Sequence, residues 1–335
     1  MNEDVLFDEL DFDGDGMLTR ADIHRAAVHF GWQWQQASIL AFLDLITVRA
    51  PLDRDSFISC MTKLDEDPDG AYGEVLRMFT QAAGMPDPPV ASKPDGTGPA
   101  ENGVVWGGAG MEKLIGNLGH ILGKAVAEDF KSALERVNTP RLRLSTSESA
   151  LLFIDPQRSF TSGSWKRSLG SDGDREVMPI QAAFDNCAAL LKAVYHRTEV
   201  MFTRCPFPPD SYDWDERFEG IIAPDQFYFI KPGNCALLPD ANGFREWVER
   251  LISIGKKSLV MGGCTLNSCL RVTSLETLSA FRDRGLEVIV DLSLCGARSS
   301  NYANSPQFGG ISAVEAAMKQ MSGEGVKVAE RVEWL

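Results

Sequence analysis

The strongest constraint on the fold is an alternation of short apolar runs with longer helical patterns in the C-terminal part of the chain. The apolar runs have the length of buried strands, and apolar residues recur at three- and four-residue spacing between most of them. Strands that alternate with helices predict a parallel sheet covered on both faces, hence a three-layer, Rossmann-like α/β fold. The predicted strands span residues 150–155, 199–204, 227–231, 258–261, 286–292 and 326–332, and the predicted helices span 180–196, 241–254, 270–284 and 311–321.

Three reactive side chains fall at the carboxyl ends of predicted strands. Asp155 closes the first strand, Lys231 closes the third, and Cys269 follows the fourth after a short turn. Ligands of open parallel sheets bind outside these strand ends, near a switch in strand order. A lysine lowers the pKa of a neighbouring thiol, and an aspartate can take the thiol proton and return it to a leaving amine. The set predicts nucleophilic amide hydrolysis, although Asp155 could instead cap a helix and Lys231 could lie on the surface.

The turn before Cys269 begins with two glycines. Gly262 and Gly263 follow an apolar run and predict the end of a strand, because glycine adopts torsions that other residues resist. Apolar residues then recur at helical spacing from Leu270. Cys269 is thus predicted near a helix N-terminus, where N–H groups stabilise a thiolate or an oxyanion. The competing interpretation is that Cys269 is a small core residue, as most free cysteines are.

Three segments resemble the isochorismatase-like cysteine hydrolases. The first strand of that family carries an aspartate, a glutamine two positions on and a phenylalanine five positions on, which correspond to Asp155, Gln157 and Phe160. Its third strand ends in a lysine, like Lys231, and its nucleophile follows a glycine-containing turn, like Cys269. The similar segments are residues 149–160, 228–234 and 262–269, within a similar region of about 144–332.

The resemblance implies the isochorismatase-like hydrolase fold and a thioester on Cys269, formed with loss of ammonia or an amine. It also implies an oxyanion hole from the backbone N–H groups of Thr265 and Cys269, and a cis peptide bond between Cys264 and Thr265. The nucleophilic cysteine favours C–N cleavage over the vinyl-ether cleavage of isochorismatases proper. Candidates for the substrate wall are Gln157, Phe160, Trp165, Tyr212, Trp214 and Asn234, of which Trp165 and Trp214 could equally belong to the core.

One segment departs from the nicotinamidase branch of this family. That branch carries an Asp-x-His metal motif and a further histidine after the second strand, whereas residues 205–215 contain no histidine. We therefore expect no catalytic zinc, and nicotinamidase activity is disfavoured. The four histidines of the chain lie elsewhere, at His24, His29, His120 and His196.

An acidic loop near the N-terminus resembles an EF-hand. Residues 11–22 place carboxylates at the first, third and fifth positions, glycine at the sixth and Asp22 at the twelfth. The usual twelfth residue is glutamate, so the shorter Asp22 is expected to weaken Ca²⁺ binding and to make Mg²⁺ more competitive. The expected ligands are Asp11, Asp13, Asp15, Met17 and Asp22, with Thr19 binding directly or through water. The alternative is a solvated acidic turn.

EF-hands usually occur in pairs, and residues 50–58 resemble the tail of a second loop that has no carboxylates ahead of it. Leu18 in the first loop and Leu52 in the second occupy the positions through which such loops would pair. A third segment, residues 65–76, begins like a loop but lacks the closing carboxylate. We predict a small all-α EF-hand domain over residues 1–83, with one active and one degenerate loop.

Two segments separate this domain from the hydrolase domain, which is predicted over residues 141–335. Residues 84–107 are rich in proline and glycine and predict a flexible linker. Residues 108–140 keep an apolar spacing of three and four over about seven turns and predict one long amphipathic helix. This helix either packs on the hydrolase domain, or it couples the cation state of the EF-hand to the active site or mediates dimerisation.

Charge and cysteine content argue against several classes of partner. The 335-residue chain has a formal net charge of −14, which disfavours nucleic acid and anionic membranes. Residues 1–83 hold 16 Asp and Glu against 6 Lys and Arg, which suits either cation binding or solubility alone. Seven scattered cysteines without a CxxC pair, an acidic N-terminus and no long apolar run predict a cytoplasmic protein with no transmembrane helix. Organelle targeting stays open.

Two functional hypotheses remain at this point. The first is a cysteine-dependent amidohydrolase that cleaves a C–N bond of a small amide, carbamoyl or ureido substrate, with a Ca²⁺-binding EF-hand module that regulates or stabilises it. The second is a Ca²⁺-responsive interaction protein that uses a catalytically silent hydrolase scaffold. The complete set of aspartate, lysine and cysteine favours the first. By analogy with related hydrolases, we expect a homo-oligomer.

Overall fold

Helices and strands alternate through the C-terminal part of the chain, as the sequence predicts. A computed structural model describes residues 7, 8, 10, 11, 14–18, 52–58, 105–107, 110–207, 209–223, 226–238 and 242–335. The strands are β1 (Met17–Leu18), β2 (Leu52–Asp53), β3 (Arg141–Leu144), β4 (Ser149–Ile154), β5 (Glu199–Arg204), β6 (Phe229–Ile230), β7 (Ser258–Cys264), β8 (Glu287–Gly296), β9 (Asn304–Ser305), β10 (Ile311–Ser312), β11 (Lys327–Ala329) and β12 (Arg331–Trp334). The longer helices are α1 (Met111–Leu122), α2 (Lys124–Val137), α3 (Met178–Val194), α4 (Phe244–Ser253), α5 (Arg271–Phe281) and α6 (Ala313–Glu324). Shorter turns of helix lie at Ser164–Ser168, Gly173–Glu176 and Pro209–Tyr212, and a π-turn spans Leu266–Leu270. Across the described ranges, no helix combines the length and apolarity needed to span a bilayer.

The main sheet has six parallel strands in the order β11–β8–β7–β4–β5–β6. From β4 the chain adds β5 and β6 on one side, then crosses back to place β7, β8 and β11 on the other. The strand order therefore reverses between β4 and β7. In open parallel sheets such a reversal leaves a crevice at the carboxyl ends of the two strands, which is where ligands bind.

Side chains of β4 show why the sheet is covered on both faces. Leu151 and Phe153 point to one face and pack with α3, whereas Leu152 and Ile154 point to the other and share a core with α4, α5 and α6. All four side chains are fully buried. A strand that is apolar on both faces is typical of a parallel sheet between two helical layers. The three-layer α/β prediction for this part of the chain is confirmed.

The predicted helix over residues 108–140 is two helices, α1 and α2, which is a correction. The chain breaks between them at Gly123, whose φ of 95° and ψ of 159° lie outside the helical region. Both helices pack on the hydrolase core: Phe130 meets the ring of Tyr302 edge-on, with centroids 5.2 Å apart. Arg136 adds a two-pronged ion pair to the buried Glu315 on α6 at 2.6 and 2.8 Å. The structure therefore supports the interpretation in which this segment belongs to the hydrolase domain.

A second, two-stranded parallel sheet joins β3 to β12. The predicted strand over residues 326–332 is therefore two strands, β11 in the main sheet and β12 in the small one, with Glu330 between them. Trp106 extends the small sheet, because its N–H donates to the Trp334 carbonyl at 3.2 Å and its carbonyl accepts from the Trp334 N–H at 2.8 Å. Val105 and Trp106, near the end of the predicted linker, are thus part of this pairing.

Near the N-terminus, β1 and β2 pair in antiparallel fashion, with Leu18 opposite Leu52. This is the pairing that the sequence predicts for the two loops. Phe7 and Phe57 are fully buried beside it and their rings meet edge-on at 5.7 Å. The third acidic segment at residues 65–76, the predicted linker up to residue 104 and most of the predicted EF-hand helices lie outside the described residues.

Candidate active site

Asp155 and Lys231 form a buried ion pair at the carboxyl edge of the main sheet. Asp155 directly follows β4 and Lys231 directly follows β6, and Asp155 Oδ2 lies 2.6 Å from Lys231 Nζ, with both side chains 0% exposed. Burial disfavours the charged ammonium, but attraction to Asp155 and to two neighbouring thiols outweighs it and raises the pKa of Lys231 well above its usual value. Lys231 therefore remains protonated at neutral pH.

Thr203 fixes the carboxylate of Asp155 from the next strand. Asp155 has a φ of 48°, which is uncommon for a residue other than glycine. The Thr203 hydroxyl donates to Asp155 Oδ1 at 2.5 Å and accepts from the Asp155 N–H at 3.0 Å. Thr203 was not among the predicted site residues. Its position near the carboxyl end of β5 is the signal that could have identified it.

Cys269 lies in the π-turn Leu266–Leu270, directly before α5. Its side chain is 7% exposed, and its Sγ lies 3.3 Å from Oδ1 of Asn234. A hydrogen bond from Cys205 and attraction to Lys231 outweigh the effect of burial and lower the pKa of Cys269 to about 7. About half of the Cys269 thiol is then ionised at neutral pH.

Cys205 is a second thiol in the site, and sequence analysis missed it. It follows β5, and its Sγ lies 3.2 Å from Asp155 Oδ2 and 3.3 Å from Lys231 Nζ. The reactive atoms of Cys205, Asp155 and Cys269 all lie within 4.8 Å of one another. A hydrogen bond to Cys269, burial and the charge of Asp155 raise the pKa of Cys205 well above its usual value. The same strand-end argument that selected Asp155 applies to Cys205.

Gly262 and Gly263 do not end the strand, as the sequence analysis expected, because β7 continues through both to Cys264. Close packing explains both glycines: a Cβ on Gly262 would lie 2.7 Å from the Leu294 Cβ, and one on Gly263 would lie 2.1 Å from the Ile154 carbonyl oxygen. The peptide bond from Cys264 to Thr265 is cis, as the family resemblance implies. The oxyanion hole at Thr265 and Cys269 stays a prediction.

The side-chain amide of Gln157 is fully occupied by backbone groups. Its Nε2 donates to the carbonyls of Cys205 and Tyr212 at 2.9 and 3.0 Å, and its Oε1 accepts from the Cys205 N–H at 2.7 Å. Gln157 therefore fixes the start of the segment after β5. Asn234, in contrast, is exposed while it touches Cys269, so it is available to a ligand.

The predicted aromatic wall forms two groups. The ring of Phe160 meets that of Trp165 at a tilt and that of Phe207 edge-on, each with a centroid distance of 5.0 Å. Tyr212 and Trp214 instead surround the guanidinium of Arg204, whose carbon lies 4.9 and 3.6 Å from their ring centroids. Tyr228 completes this second group at 4.3 Å. Trp165 and Trp214 are half-buried, so both of their proposed roles, substrate wall and core, stay open.

Asp155, Cys205 and Cys269 present a carboxylate oxygen and two sulfurs that could in principle ligate one ion. The protonated amine of Lys231, 2.6 Å from Asp155 and 3.3 Å from Cys205, opposes a cation at this point. This donor set therefore fits thiol chemistry better than metal binding. The expectation of no catalytic zinc stays a prediction.

Part of the acidic N-terminal loop has the features of a cation site. Asp11 Oδ2 accepts from the Gly16 N–H at 2.9 Å and Asp15 Oδ1 accepts from the Met17 N–H at 2.8 Å. Asp11 Oδ1 is buried and has no hydrogen-bond partner within the described residues. A carboxylate oxygen in this situation could serve as a cation ligand. The other expected ligands, Asp13, Thr19 and Asp22, lie outside the described residues.

The chain is similar to several solved structures. Among solved structures, the chain is similar to the nicotinamidase from Staphylococcus aureus at 14% identity and a TM-score of 0.40, over 55% of this chain and 99% of that chain. It is similar to an isochorismatase from Pseudomonas putida KT2440 at 16% identity and a TM-score of 0.41, over 59% and 95% of the two chains. The nicotinamidase from Bacillus subtilis gives 16% identity and a TM-score of 0.38, over 55% and 99%.

No curated protein matches the chain. The family model of the isochorismatase domain, however, matches residues 149–330, which is more than half of the chain. The matched region contains Asp155, Cys205, Lys231 and Cys269, and it also spans all six strands of the main sheet. On this match, the chain belongs to the isochorismatase family.

Proposed function

We propose that this protein is a cysteine-dependent amidohydrolase that cleaves a C–N bond of a small amide, carbamoyl or ureido substrate. The observation that carries the proposal is that the Cys269 sulfur lies within 4.8 Å of the Asp155 carboxylate, which forms a buried ion pair with Lys231. A thiol that ionises near neutral pH is a nucleophile, and a buried carboxylate beside it is suited to move protons. Family membership supports a hydrolase but does not select the bond.

The proposed reaction begins with transfer of the Cys269 proton to Asp155. The thiolate attacks the substrate carbonyl carbon, and the negative charge that forms on oxygen is stabilised by the backbone N–H groups of Thr265 and Cys269. Collapse of this adduct breaks the C–N bond while Asp155 gives its proton to the leaving nitrogen, so an amine or ammonia departs and a thioester remains. Asp155 then takes a proton from water, the resulting hydroxide attacks the thioester, and the Cys269 sulfur leaves and regains that proton.

Lys231 has a supporting role in this scheme. Its fixed positive charge favours the thiolate form of Cys269, since opposite charges at short range stabilise each other in a buried site. Asn234 is the exposed polar group closest to the nucleophile and is proposed to orient the substrate. The aromatic residues of the predicted wall are proposed to enclose the rest of a small substrate.

The test is ammonia release across small amides, carbamoyl amines and ureido acids, with wild type compared to Cys269→Ala. We expect Cys269→Ala to lower kcat/KM about 10³-fold or more. Cys187→Ala is the matched control, because it removes another buried thiol, one on α3 that donates to the Leu294 carbonyl, and should keep the activity. If no substrate reacts and Cys269 alkylates no faster than a model thiol, the silent-scaffold hypothesis replaces this one.

We propose in addition that the N-terminal loop binds Ca²⁺, with Mg²⁺ as a weaker competitor. The buried, unpaired Asp11 Oδ1 and the pairing of Leu18 with Leu52 support this proposal. Titration calorimetry should give heat with Ca²⁺ for wild type and none for Asp11→Ala. Asp8→Ala is the matched control, because Asp8 is exposed and pairs with Arg54 outside the loop. Heat that survives in Asp11→Ala would contradict the site.

Two further expectations complete the proposal. A homo-oligomer is expected by analogy with related hydrolases, and sedimentation at several protein concentrations would test it. A cytoplasmic location is expected from the unpaired cysteine pattern, and fluorescence localisation would test it.

Ca²⁺ regulation requires that turnover differ between Ca²⁺ and chelator in wild type but not in Asp11→Ala.

A further inference from the structure

The carboxylate of Asp155 is already occupied when Cys269 has to lose its proton. Oδ1 accepts from Thr203 at 2.5 Å, and Oδ2 receives Lys231 at 2.6 Å and Cys205 at 3.2 Å. The hydrogen-bond acceptor of the Cys269 thiol is instead the side-chain oxygen of Asn234, at 3.3 Å. Asp155 and Cys269 lie within 4.8 Å of each other, but the thiol that is hydrogen-bonded to Asp155 is that of Cys205.

We propose that Cys205 controls the proton of the nucleophilic thiol by relaying it between Cys269 and Asp155. In the forward step the Cys269 S–H bond breaks and its proton moves to the Cys205 sulfur, while the Cys205 proton moves to Asp155 Oδ2. Two S–H bonds break and one S–H and one O–H bond form, and no electron is transferred. The products are a Cys269 thiolate, a neutral Cys205 thiol and a neutral Asp155 carboxyl.

Contacts with Gln157 and Lys231 fix the position of Cys205. Its backbone N–H and carbonyl both bond the side-chain amide of Gln157, at 2.7 and 2.9 Å. Its sulfur lies 3.3 Å from Lys231 Nζ. The backbone N–H of Lys231 also donates to the carbonyl of Arg204, the residue before Cys205, at 2.9 Å. The thiol is therefore fixed on both sides, with its sulfur within 4.8 Å of both the carboxylate and the nucleophile.

The charged and titratable groups around Cys205 come from four elements. Asp155 follows β4, Lys231 follows β6, Cys269 lies in the π-turn and Cys264 ends β7. Burial raises the pKa of Cys264 well above its usual value, and its thiol bonds the backbone carbonyl of Asp155, so it stays neutral. Among the thiols that the structure describes here, Cys205 is then the one placed near both the Asp155 carboxylate and the Cys269 sulfur. The hydrogen bond to the thiolate also accounts for its ionisation near neutral pH.

The role of this relay in turnover rests on the proposed function, but its effect on Cys269 does not. The experiment therefore follows alkylation of Cys269 by iodoacetamide against pH, with the site identified by mass spectrometry, in wild type, Cys205→Ala and Cys205→Ser. Wild type should show a midpoint near pH 7. Cys205→Ala should move the midpoint up toward that of an ordinary thiol and slow alkylation at pH 7 about tenfold. Cys205→Ser, whose hydroxyl keeps one donor proton, should restore part of the shift.

The matched control is Cys187→Ala, which should leave the midpoint where it is in wild type. An unchanged midpoint in Cys205→Ala would overturn the proposal, and so would a wild-type midpoint near that of a model thiol. If Cys205→Ala does not fold, Cys205→Ser takes its place: a midpoint above that of Cys187→Ala supports the relay, and a midpoint equal to it overturns the proposal. If the midpoint shifts while no amide is cleaved, the relay stands and the amidohydrolase function falls.

Discussion

Gly263 lies so close to Ile154 that a Cβ at position 263 would be 2.1 Å from the Ile154 carbonyl oxygen. Ile154 ends β4 and Gly263 is the next-to-last residue of the neighbouring strand β7, at the point where the strand order reverses. This contact draws together the segments that carry Asp155 and Cys269. Close packing of two backbones is thus a condition for the active site.

Gly263→Ala should therefore damage both stability and the site. The φ of 109° at Gly263 is unfavourable for alanine, and the new methyl group would overlap β4. We expect the free energy of unfolding to fall by about 3 kcal/mol or more, measured by urea denaturation. Gly116→Ala is the control, because Gly116 is exposed on α1 with open space around it and should change stability little or raise it. Equal stability of Gly263→Ala and wild type would contradict the packing argument.

Lys231→Met should destabilise the fold because it leaves the buried charge of Asp155 without its partner. Removing one partner of a buried ion pair typically costs about 3–5 kcal/mol. The double variant Asp155→Asn with Lys231→Met should recover part of this loss in urea unfolding. Both variants should lack hydrolase activity. Full additivity of the two single substitutions would show that the pair contributes nothing to stability.

The ion pair between Arg136 and Glu315 should make stability depend on acid pH. The hydrogen bonds from Arg136 hold the pKa of Glu315 below its usual value. Because the folded pKa is depressed, the contribution is present above the unfolded pKa of about 4 and is lost as pH falls through the folded value. Arg136→Ala should lower the free energy of unfolding at pH 7, measured by urea denaturation, and should lower it by less at pH 3.

Lys131→Ala provides the control for this prediction. Lys131 pairs with Glu128 on the exposed side of α2, with about half or more of each side chain accessible. Such a pair contributes about 0.5 kcal/mol or less. If both substitutions had the same effect at pH 7, the attachment of α2 through Arg136 would be unimportant.

Asp291 should give stability a second pH dependence, of the opposite sign. Burial raises the pKa of this β8 carboxyl to about 7, although Ser293 and the Val332 N–H donate to it. The folded state then holds a proton that the unfolded state releases near pH 4. Stability should fall as pH rises from about 4 through 7 and level off above. Thermal denaturation of wild type and Asp291→Asn across this range should show a flatter profile for the variant, and parallel profiles would contradict the assignment.

Peroxide should link Cys205 to Cys269 by a disulfide. The Cys269 thiolate would attack the peroxide O–O bond to give a sulfenic acid and water, and the Cys205 sulfur would then displace a second water to form the S–S bond. The two sulfurs start within 4.8 Å, so a modest movement brings them to bonding distance. Mass spectrometry should find the cross-link, and dithiothreitol should reverse it. In Cys205→Ser, prolonged peroxide should oxidise Cys269 irreversibly, and equal recovery in both proteins would contradict the pairing.

Sequence reasoning predicted that Asp155, Lys231 and Cys269 lie at one edge of the sheet, because parallel strands bring their carboxyl ends together whatever the loops between them do. Thr203 and Cys205 were missed for a physical reason. Both lie near a strand end, as Asp155 does, but their distances to Asp155 depend on the register of β4 and β5, which the sequence pattern does not predict. That register pairs Phe153 with Phe202 and so brings the next residues together.

The prediction of helix boundaries was wrong for a different reason. The apolar spacing of α1 continues into α2, so periodicity alone predicts one helix across Gly123. The break depends on the backbone torsions of that glycine, and glycine inside a helical pattern is tolerated often enough that it does not predict a break. Likewise, Gly262 and Gly263 were interpreted as strand breakers, whereas the close approach of β4 and β8 is the reason for them.

The backbone pairing of Trp106 with Trp334, together with α1 and α2, determines how short a fragment can be and still fold. Met111, Leu114, Leu118 and Phe130 are each at most 2% exposed, and they cover part of the core beneath the main sheet. A fragment trimmed to the family match at residues 149–330 would show this apolar surface to water and would lose both partners of the small sheet. We expect such a fragment to aggregate and one that starts at residue 105 and includes Trp334 to remain monodisperse. The part of this chain that we expect to fold by itself is thus longer than the domain by which its family is recognised.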